Sequence, residues 1–447
     1  MRASPAAPTP PMLPPPARSG IPVRQGALAR VAAGLDFGTS GARVCVIDRR
    51  ERCLFEAAAR YADARSQGCA DWQGALLELL AAIPAALRAR LDALSLCATS
   101  GSVLWAGRDL RPRGPVLMYF EHRHAEFAPG HSGPLDGLAR LAWLWRELGG
   151  EALGDALALH QADWLFARLR AGGLARGGLT DWHNALKSGG DPARCAWSEA
   201  ATGQPFAPRL PRIVAPGSRI GHVDPALARW LGLRPQLRLV AGTTDANAAF
   251  LASGADRPGL GLSSLGSTLA LKLLSPRRID DAGHGVYSHR FGDRWLVSGA
   301  SQAGGAALRA LFDDARLREL SARIDPERDS PLDLYPLPGV GERFPRADPG
   351  MLRRLEPRPC DDADYLHGLL QGLARIEAQG YARFAELGAP RPREVLSCGG
   401  GAANPAWTRL RERALGCPVL RARHAEAAFG AARLALLGTR VFPHSPP

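Results

Sequence analysis

LDFGTSGARVCVIDRR, residues 35–50, sets an acid, Asp36, two glycines and two hydroxyls at one tight turn between apolar runs. The runs on either side alternate as strands do. There is no lysine, and a strand rather than a helix follows, so this is not the lysine-and-helix phosphate loop. The backbone N–H groups of Gly38 and its neighbours can still form a concave anion nest, to which Thr39 and Ser40 add hydroxyl donors. A carboxylate facing phosphate is repulsive without a cation between them, so Asp36 points to Mg²⁺ held through water. The same residues also make a plain β-hairpin with a capping Asp, since such turns want glycine anyway. On this segment alone both readings stand.

The second half of the chain repeats the pattern. SSLGSTLALKLL, residues 263–274, is again strand, small-residue turn, strand. Gly38-Thr39-Ser40 and Gly266-Ser267-Thr268 match in chemistry and in place within a hairpin. Two such turns, each early in its half, predict a two-lobed α/β protein with related lobes facing a cleft. With 447 residues, there is chain enough for two full cores.

Around the first turn, ARVAAGLDF, ARVCVIDRR and the CLFEAAARY stretch read as consecutive strands. Asp71 reads as the N-cap of the helix WQGALLELLAAIPAALRARL. The strand ALSLCAT then leads into Ser100-Gly101-Ser102. Residues 134–170 read as helical, with Leu138, Leu141, Trp145 and Leu148 near the 3.6-residue period, and 172–217 as glycine- and proline-rich loops. A long helix is expected through Leu366, Leu369, Leu373, Ile376 and Phe384, and EAAFGAARLALLG as the closing helix. Residues 1–26, rich in proline and arginine, read as a disordered tail. The lobes are expected at 27–246 and 247–440, with a short tail at 441–447.

Two further turns carry chemistry. Gly242-Thr243-Thr244-Asp245 stands between a strand and a helix; by position Asp245 reads first as an N-cap, though a base for a hydroxyl nucleophile would sit in the same place. In Gly399-Gly400-Gly401-Ala402-Ala403-Asn404-Pro405, Asn404 suits an N-cap and Pro405 the first helical position. Three successive glycines exceed what a cap requires and let a flat ligand or phosphate approach the backbone. The run lacks the GxGxxG register, and no following βαβ unit carries a ribose-binding acid.

The net charge of +13 is almost all arginine: Lys187 and Lys272 are the only lysines among 56 basic residues. The arginines are interspersed with acids rather than gathered in a stripe, which excludes nucleic acid as the expected partner. The eight cysteines form no CxxC and no zinc-spaced set, and a reduced, cytoplasmic protein is expected. No apolar run reaches membrane-spanning length. His122, His124 and His131 match no metal pattern, and His183 and His424 read as surface or packing residues.

Taken in order, DFGTSGAR, GTTDANAA, GSTLALK, GGGAANPAW with LGCPV, and EAAFGAARLA resemble the FGGY family of carbohydrate kinases. DWLFARLRAGG, TDWHNALKSGGD and RIVAPGSRIG resemble its xylulose-kinase-like branch, and HNALK with GSTLALK resemble D-ribulose kinases in particular. The resemblance implies an actin/hexokinase-type, ribonuclease H-like ATPase fold with the active site in the interlobe cleft, using ATP and Mg²⁺. It implies that Asp36 positions Mg²⁺ and the sugar, that Thr39, Ser267 and Thr268 grip phosphates, and that Asp245 is the base. Gly400, Gly401, Asn404 and Trp407 would hold adenosine, Gly304 and Gly305 would line the nucleotide side, and Ser100 would touch the sugar. The expected partners are a ketopentose, D-ribulose before D-xylulose, and ATP, in a monomer or homodimer; a polyol or glycerol kinase and a non-catalytic ATP-binding module are the alternatives. One departure is Tyr119-Phe120-Glu121-His122-Arg123, where many relatives have aromatic-x-Asp-x-Arg; the longer glutamate puts the sugar's identity in question.

Overall fold

The structure is a computed structural model, and it describes residues 30–64, 66–121 and 136–442. The N-terminal tail, His122, Arg123, His124 and His131 lie outside the described residues.

The chain builds two sheets of one design. In the first, β1 (Val31–Phe37), β2 (Gly41–Ile47) and β3 (Cys53–Arg60) form an antiparallel meander. On the other side of β1, β4 (Leu91–Ala98) and β5 (Arg238–Val240) run parallel to it, giving the order β3-β2-β1-β4-β5. The second sheet has β6 (Leu260–Leu265), β7 (Leu269–Ser275), β8 (Tyr287–Phe291), β9 (Arg294–Ser301), β10 (Glu394–Cys398) and β11 (Val419–Arg421). Its order β9-β7-β6-β10-β11 repeats those five strands direction for direction, with β8 added at the edge of the second sheet and Arg219–His222 at the opposite edge of the first. The register repeats too. Asp36 pairs with Cys97 across β1 and β4, and Ser264 with Cys398 across β6 and β10. The two hairpins that suggested a duplication are therefore equivalent parts of equivalent sheets.

Seven helices place the site: α1 (Cys69–Ala82), α2 (Asp136–Glu147), α3 (Gln161–Leu169), α4 (Asp245–Ser253), α5 (Asp362–Glu386), α6 (Pro405–Leu415) and α7 (Ala427–Leu437). Helices α4 and α7 lie between the sheets. Ala252, Ala428 and Ala432 pack with Ala32, Ile47 and Ala93 of the first sheet, while Phe250, Leu251 and Leu434 pack with Leu260, Leu262 and Leu396 of the second. The layer is thin because small residues let backbones touch. A Cβ at Gly430 would fall 1.8 Å from the Ala248 carbonyl oxygen, and one at Gly34 would fall 2.1 Å from the Ala432 nitrogen, so no side chain fits at either.

Several expectations need correction. Helix α1 starts two residues before Asp71; the cap is Gly68, and the Asp71 carboxylate accepts from the Gly68 N–H at 2.8 Å as the third residue of the helix. Residues 134–170 are not one helical stretch. Leu157–His160 is a buried strand paired with Val103–Ala106 and separates α2 from α3. The boundary expected between 246 and 247 falls inside α4, and α7, placed by sequence in the second lobe, packs on both sheets. Phe442, expected in the terminal tail, is buried against Phe291. The 172–217 region holds only short strands and single helical turns between its loops.

Candidate active site

Asp36 is the penultimate residue of β1, at the rim of the first sheet, and is buried at 6% exposure. Cys97 reaches it from β4, Sγ to Oδ1 3.5 Å. Arg43, across the hairpin, comes to 3.8 Å and also approaches Glu426. The turn beyond is closed by the Gly38 N–H donating to the Gly41 carbonyl at 3.0 Å. Thr39 meets the Tyr119 hydroxyl at 3.1 Å, oxygen to oxygen, and Ser40 is exposed.

Asp245 arrives at the same rim. Thr243 and Thr244 pair with Cys97 and Ala98 at the end of β4, which places Asp245 next along the rim from Asp36. Here the N-cap reading fails: the cap position belongs to Thr244, and Asp245 is the first helical residue, accepting among the described residues only from the adjacent Ala246 N–H at 2.7 Å. Two carboxylates thus stand at the carboxyl ends of parallel strands, where α/β sheets bind their ligands. Burial and then the Asp245 charge push Asp36 up to about 7. Burial likewise raises Asp245, opposed by Lys272 and Lys187.

Such a pair of buried like charges is what a divalent cation would neutralise, so the donor set fits Mg²⁺ at Asp36. Ionising Asp36 costs the metal-free fold stability: with its folded value raised, that stability is present near pH 4 and lost as pH rises through 7. Asp36→Asn is therefore expected to stabilise the metal-free protein by about 2–4 kcal/mol at pH 8, seen as a raised Tm, and to change the Tm little at pH 4. Thermal melts at the two pH values check this; equal shifts at both would contradict it.

Ser100 lies just past β4, and its Oγ is buried with no hydrogen-bond partner among the described residues. The Gly101 turn beside it is held by Arg140, which donates to the Gly101, Tyr119 and Glu121 carbonyls. Glu121 Oε1 accepts from the Met118 N–H at 3.1 Å, so its longer side chain closes its own turn.

On the second sheet three small-residue turns meet. Gly305 N–H donates to the Gly266 carbonyl at 2.9 Å and Ala306 N–H to the Ser267 carbonyl at 3.0 Å, seating Gly304-Gly305 on the Gly266-Ser267-Thr268 turn. A Cβ on Gly399 or Gly401 would collide with Leu265, so the glycine run lies directly alongside. Ser267 and Thr268 are exposed, and Arg309 donates to Ser267 Oγ at 2.9 Å, adding a cation at this turn. A pocket of about 760 Å³ opens over Gly399 and Gly400, walled by Arg421, Arg423 and His424 and, from the first sheet, by Glu56.

Two residues expected to hold adenosine do structural work instead. Trp407 is buried in the core of the second lobe, its ring beneath Gly401. Asn404 is half-buried; it caps α6 by accepting from the Trp407 N–H at 3.0 Å and donates to Ser321 Oγ at 2.8 Å. The glycine backbone, not these side chains, faces the pocket.

His183 is a packing residue, but one between the lobes. It is fully buried, with Nδ1 2.7 Å from Thr243 Oγ1 and Nε2 2.6 Å from the Arg290 carbonyl of β8; burial pulls it down to about 3, so it stays neutral. Sequence reasoning also missed Tyr119, Tyr287, Lys187 and Lys272. The signal for the lysines was their rarity.

Comparison with known proteins agrees with this geometry. Residues 261–439 match the C-terminal domain of the FGGY family of carbohydrate kinases. A xylulose kinase of Staphylococcus epidermidis is 23% identical over 243 residues, which cover 52% of this chain and 49% of the relative, so the chain spans about half the length of the curated relatives it matches. A solved xyloylose kinase from Brucella ovis superposes with a TM-score of 0.79 at 21% identity, over 93% of each chain. The glycerol kinase of Plasmodium falciparum, solved with ADP, also gives 0.79, at 14% identity, over 93% of this chain and 91% of its own. Residues 261–439 thus resemble the C-terminal domain of the FGGY family of carbohydrate kinases, and over its described length the chain has the two-lobed, actin/hexokinase-type fold of these solved kinases.

Proposed function

We propose that the protein is an ATP- and Mg²⁺-dependent sugar kinase that transfers the γ-phosphoryl group to the terminal hydroxyl of a ketopentose, D-ribulose first and D-xylulose second. The observation that carries this is the pairing of Asp36 and Asp245 at one sheet rim, opposite glycine turns on the matching rim of the second sheet. A module that only bound nucleotide would have no use for a buried carboxylate placed as a base.

In this reading Asp245 takes the proton from the attacking hydroxyl, while Asp36 fixes the sugar and the metal side of the cleft. Ser100 and Tyr119 face the sugar. The turn at Gly38-Thr39-Ser40 and the turn at Gly266-Ser267-Thr268, with Arg309, hold the phosphates from opposite sides. Adenosine lies over Gly400 and Gly401. Bound Mg²⁺ would supply charge neutralisation on the transferring phosphates. Phosphoryl transfer needs alignment and charge more than covalent help, and closing lobes keep water out.

The curated relatives named xylulose kinase support a ketopentose acceptor. The likeness of HNALK and GSTLALK to D-ribulose kinases is what favours ribulose. ATP consumption measured with D-ribulose, D-xylulose, L-ribulose, ribitol and glycerol tests this. The highest kcat/KM is expected for D-ribulose; a preference for glycerol or ribitol would make it a polyol kinase, and no turnover with any would favour the nucleotide-binding module. No helix among the described residues is long and apolar enough to cross a membrane.

A further inference from the structure

All but two of the 56 basic residues are arginine, yet the charges of both lysines bear on the same carboxylate, that of Asp245. Lys272, from β7 of the second sheet, is buried, and its Nζ donates to the Ala246 carbonyl at 2.7 Å and to Asn247 Oδ1 at 2.8 Å. Both acceptors follow Asp245 directly, in the first turn of α4. Lys187, from the opposite side, donates to the Tyr287 hydroxyl at 2.8 Å and lies over that ring at 4.1 Å. A guanidinium spreads its donors in a planar fork, whereas two oxygens converging on one buried point suit a compact ammonium.

We infer that Lys272 is the positioning residue of Asp245: reaching across from the second sheet, its Nζ pins the first turn of α4 and aims the carboxylate into the cleft. Among the described residues the Asp245 carboxylate accepts one hydrogen bond, from the next N–H, so its aim is the aim of that turn. The turn in turn is tied to the sheet that carries the second phosphate hairpin, since Lys272 lies four residues beyond Thr268 on the same strand. Base and phosphate turn are thus set relative to each other by one side chain. The role of Asp245 rests on the kinase reading; the clamp does not.

The groups around the pair are few. Asp36, Cys97, Lys187 and Lys272 bear on Asp245. Asp245, Lys187, Cys398, His183 and His289 bear on Lys272 or feel it. Burial pulls Lys272 down to about 7 and the Asp245 charge holds it up.

With two lysines in the chain, protein labelled with [¹³C]lysine shows two Cε signals, assigned through Lys187→Arg. The Lys272 signal is expected to titrate about one pH unit lower in Asp245→Asn than in the unmodified protein. An identical midpoint in the two would overturn the assignment, whether or not any sugar is turned over. In turnover assays Lys272→Met is expected to lower kcat about ten- to a hundredfold with KM for ATP and sugar within about twofold, and Lys272→Arg to recover part of it. An unchanged kcat, or a loss lying wholly in KM, would overturn it too. If the unmodified protein phosphorylates no sugar or polyol, the kinase reading fails while the titration still decides the clamp.

Discussion

Replacing Asp245 with asparagine is expected to lower kcat for sugar phosphorylation by about a hundred- to ten-thousandfold, the range a positioned general base contributes. Nucleotide affinity should stay near that of the unmodified protein, because the glycine turns proposed to receive it belong to the other sheet. The structure gives Asp245 no capping duty whose loss could be confused with this effect: Thr244 holds the cap position, and among the described residues the carboxylate bonds only its neighbouring N–H. Removing a burial-strained charge should leave stability unchanged or raise it. A large loss of turnover without a loss of Tm is therefore the signature, checked by coupled ADP release, calorimetric titration with ATP and a thermal melt. Turnover within a few-fold of the original would remove Asp245 as the base.

Arg411→Met is expected to be among the most damaging changes to stability, at about 3–5 kcal/mol. Arg411 of α6 and Glu377 of α5 are both buried, and they pair through Arg411 Nη2 and Glu377 Oε1 at 2.7 Å. Arg411 also donates to Ser397 of β10 at 2.8 Å, and Ser263 of β6 donates to Glu377. Four elements thus meet at one ion pair, among them β6, which leads into the Gly266-Ser267-Thr268 turn, and β10, which leads into the glycine run. Methionine fills much of the space but leaves the Glu377 charge buried and alone, and that unpaired charge is the main cost. Chemical denaturation reads the loss. Replacing both residues, Glu377→Met with Arg411→Met, should restore much of it, because no charge is then stranded; a double variant as unstable as the single one would contradict this.

The duplication was legible because each hairpin carries its own signal: alternating apolar residues around a glycine turn, once at 35–47 and again at 263–274. Matching chemistry at the two turns predicted matching sheets, and the strand orders agree. The carboxylates were legible as candidates, but their relation was not. Asp36 and Asp245 are far apart in sequence and meet only because Thr243-Thr244 adds to the end of β4, a two-residue pairing with no periodicity of its own.

Misreadings have equally local causes. Leu157–His160 lies in a run whose leucine spacing suits a helix, and tertiary pairing with Val103–Ala106 overrides it. Asp71 has a good capping side chain three residues past the cap position, and reciprocates as the third residue of its helix instead. The resemblance implied that Trp407 holds adenosine, whereas its indole is buried in the core of the second lobe. Lys187 and Lys272 were conspicuous in composition, but only the fold shows that two lysines 85 positions apart bear on one aspartate.

The central claim is that the two rims hold a sugar hydroxyl, Asp245 and a phosphoryl group in line. Its most direct test is product identification: the protein is incubated with ATP, Mg²⁺ and D-ribulose, and the products are read by mass spectrometry and ³¹P NMR. The account predicts one pentulose monophosphate per ADP, carrying the phosphate on the terminal hydroxyl, and none from Asp245→Asn. ADP released without a sugar phosphate, or a product phosphorylated equally well by the variant, would contradict it.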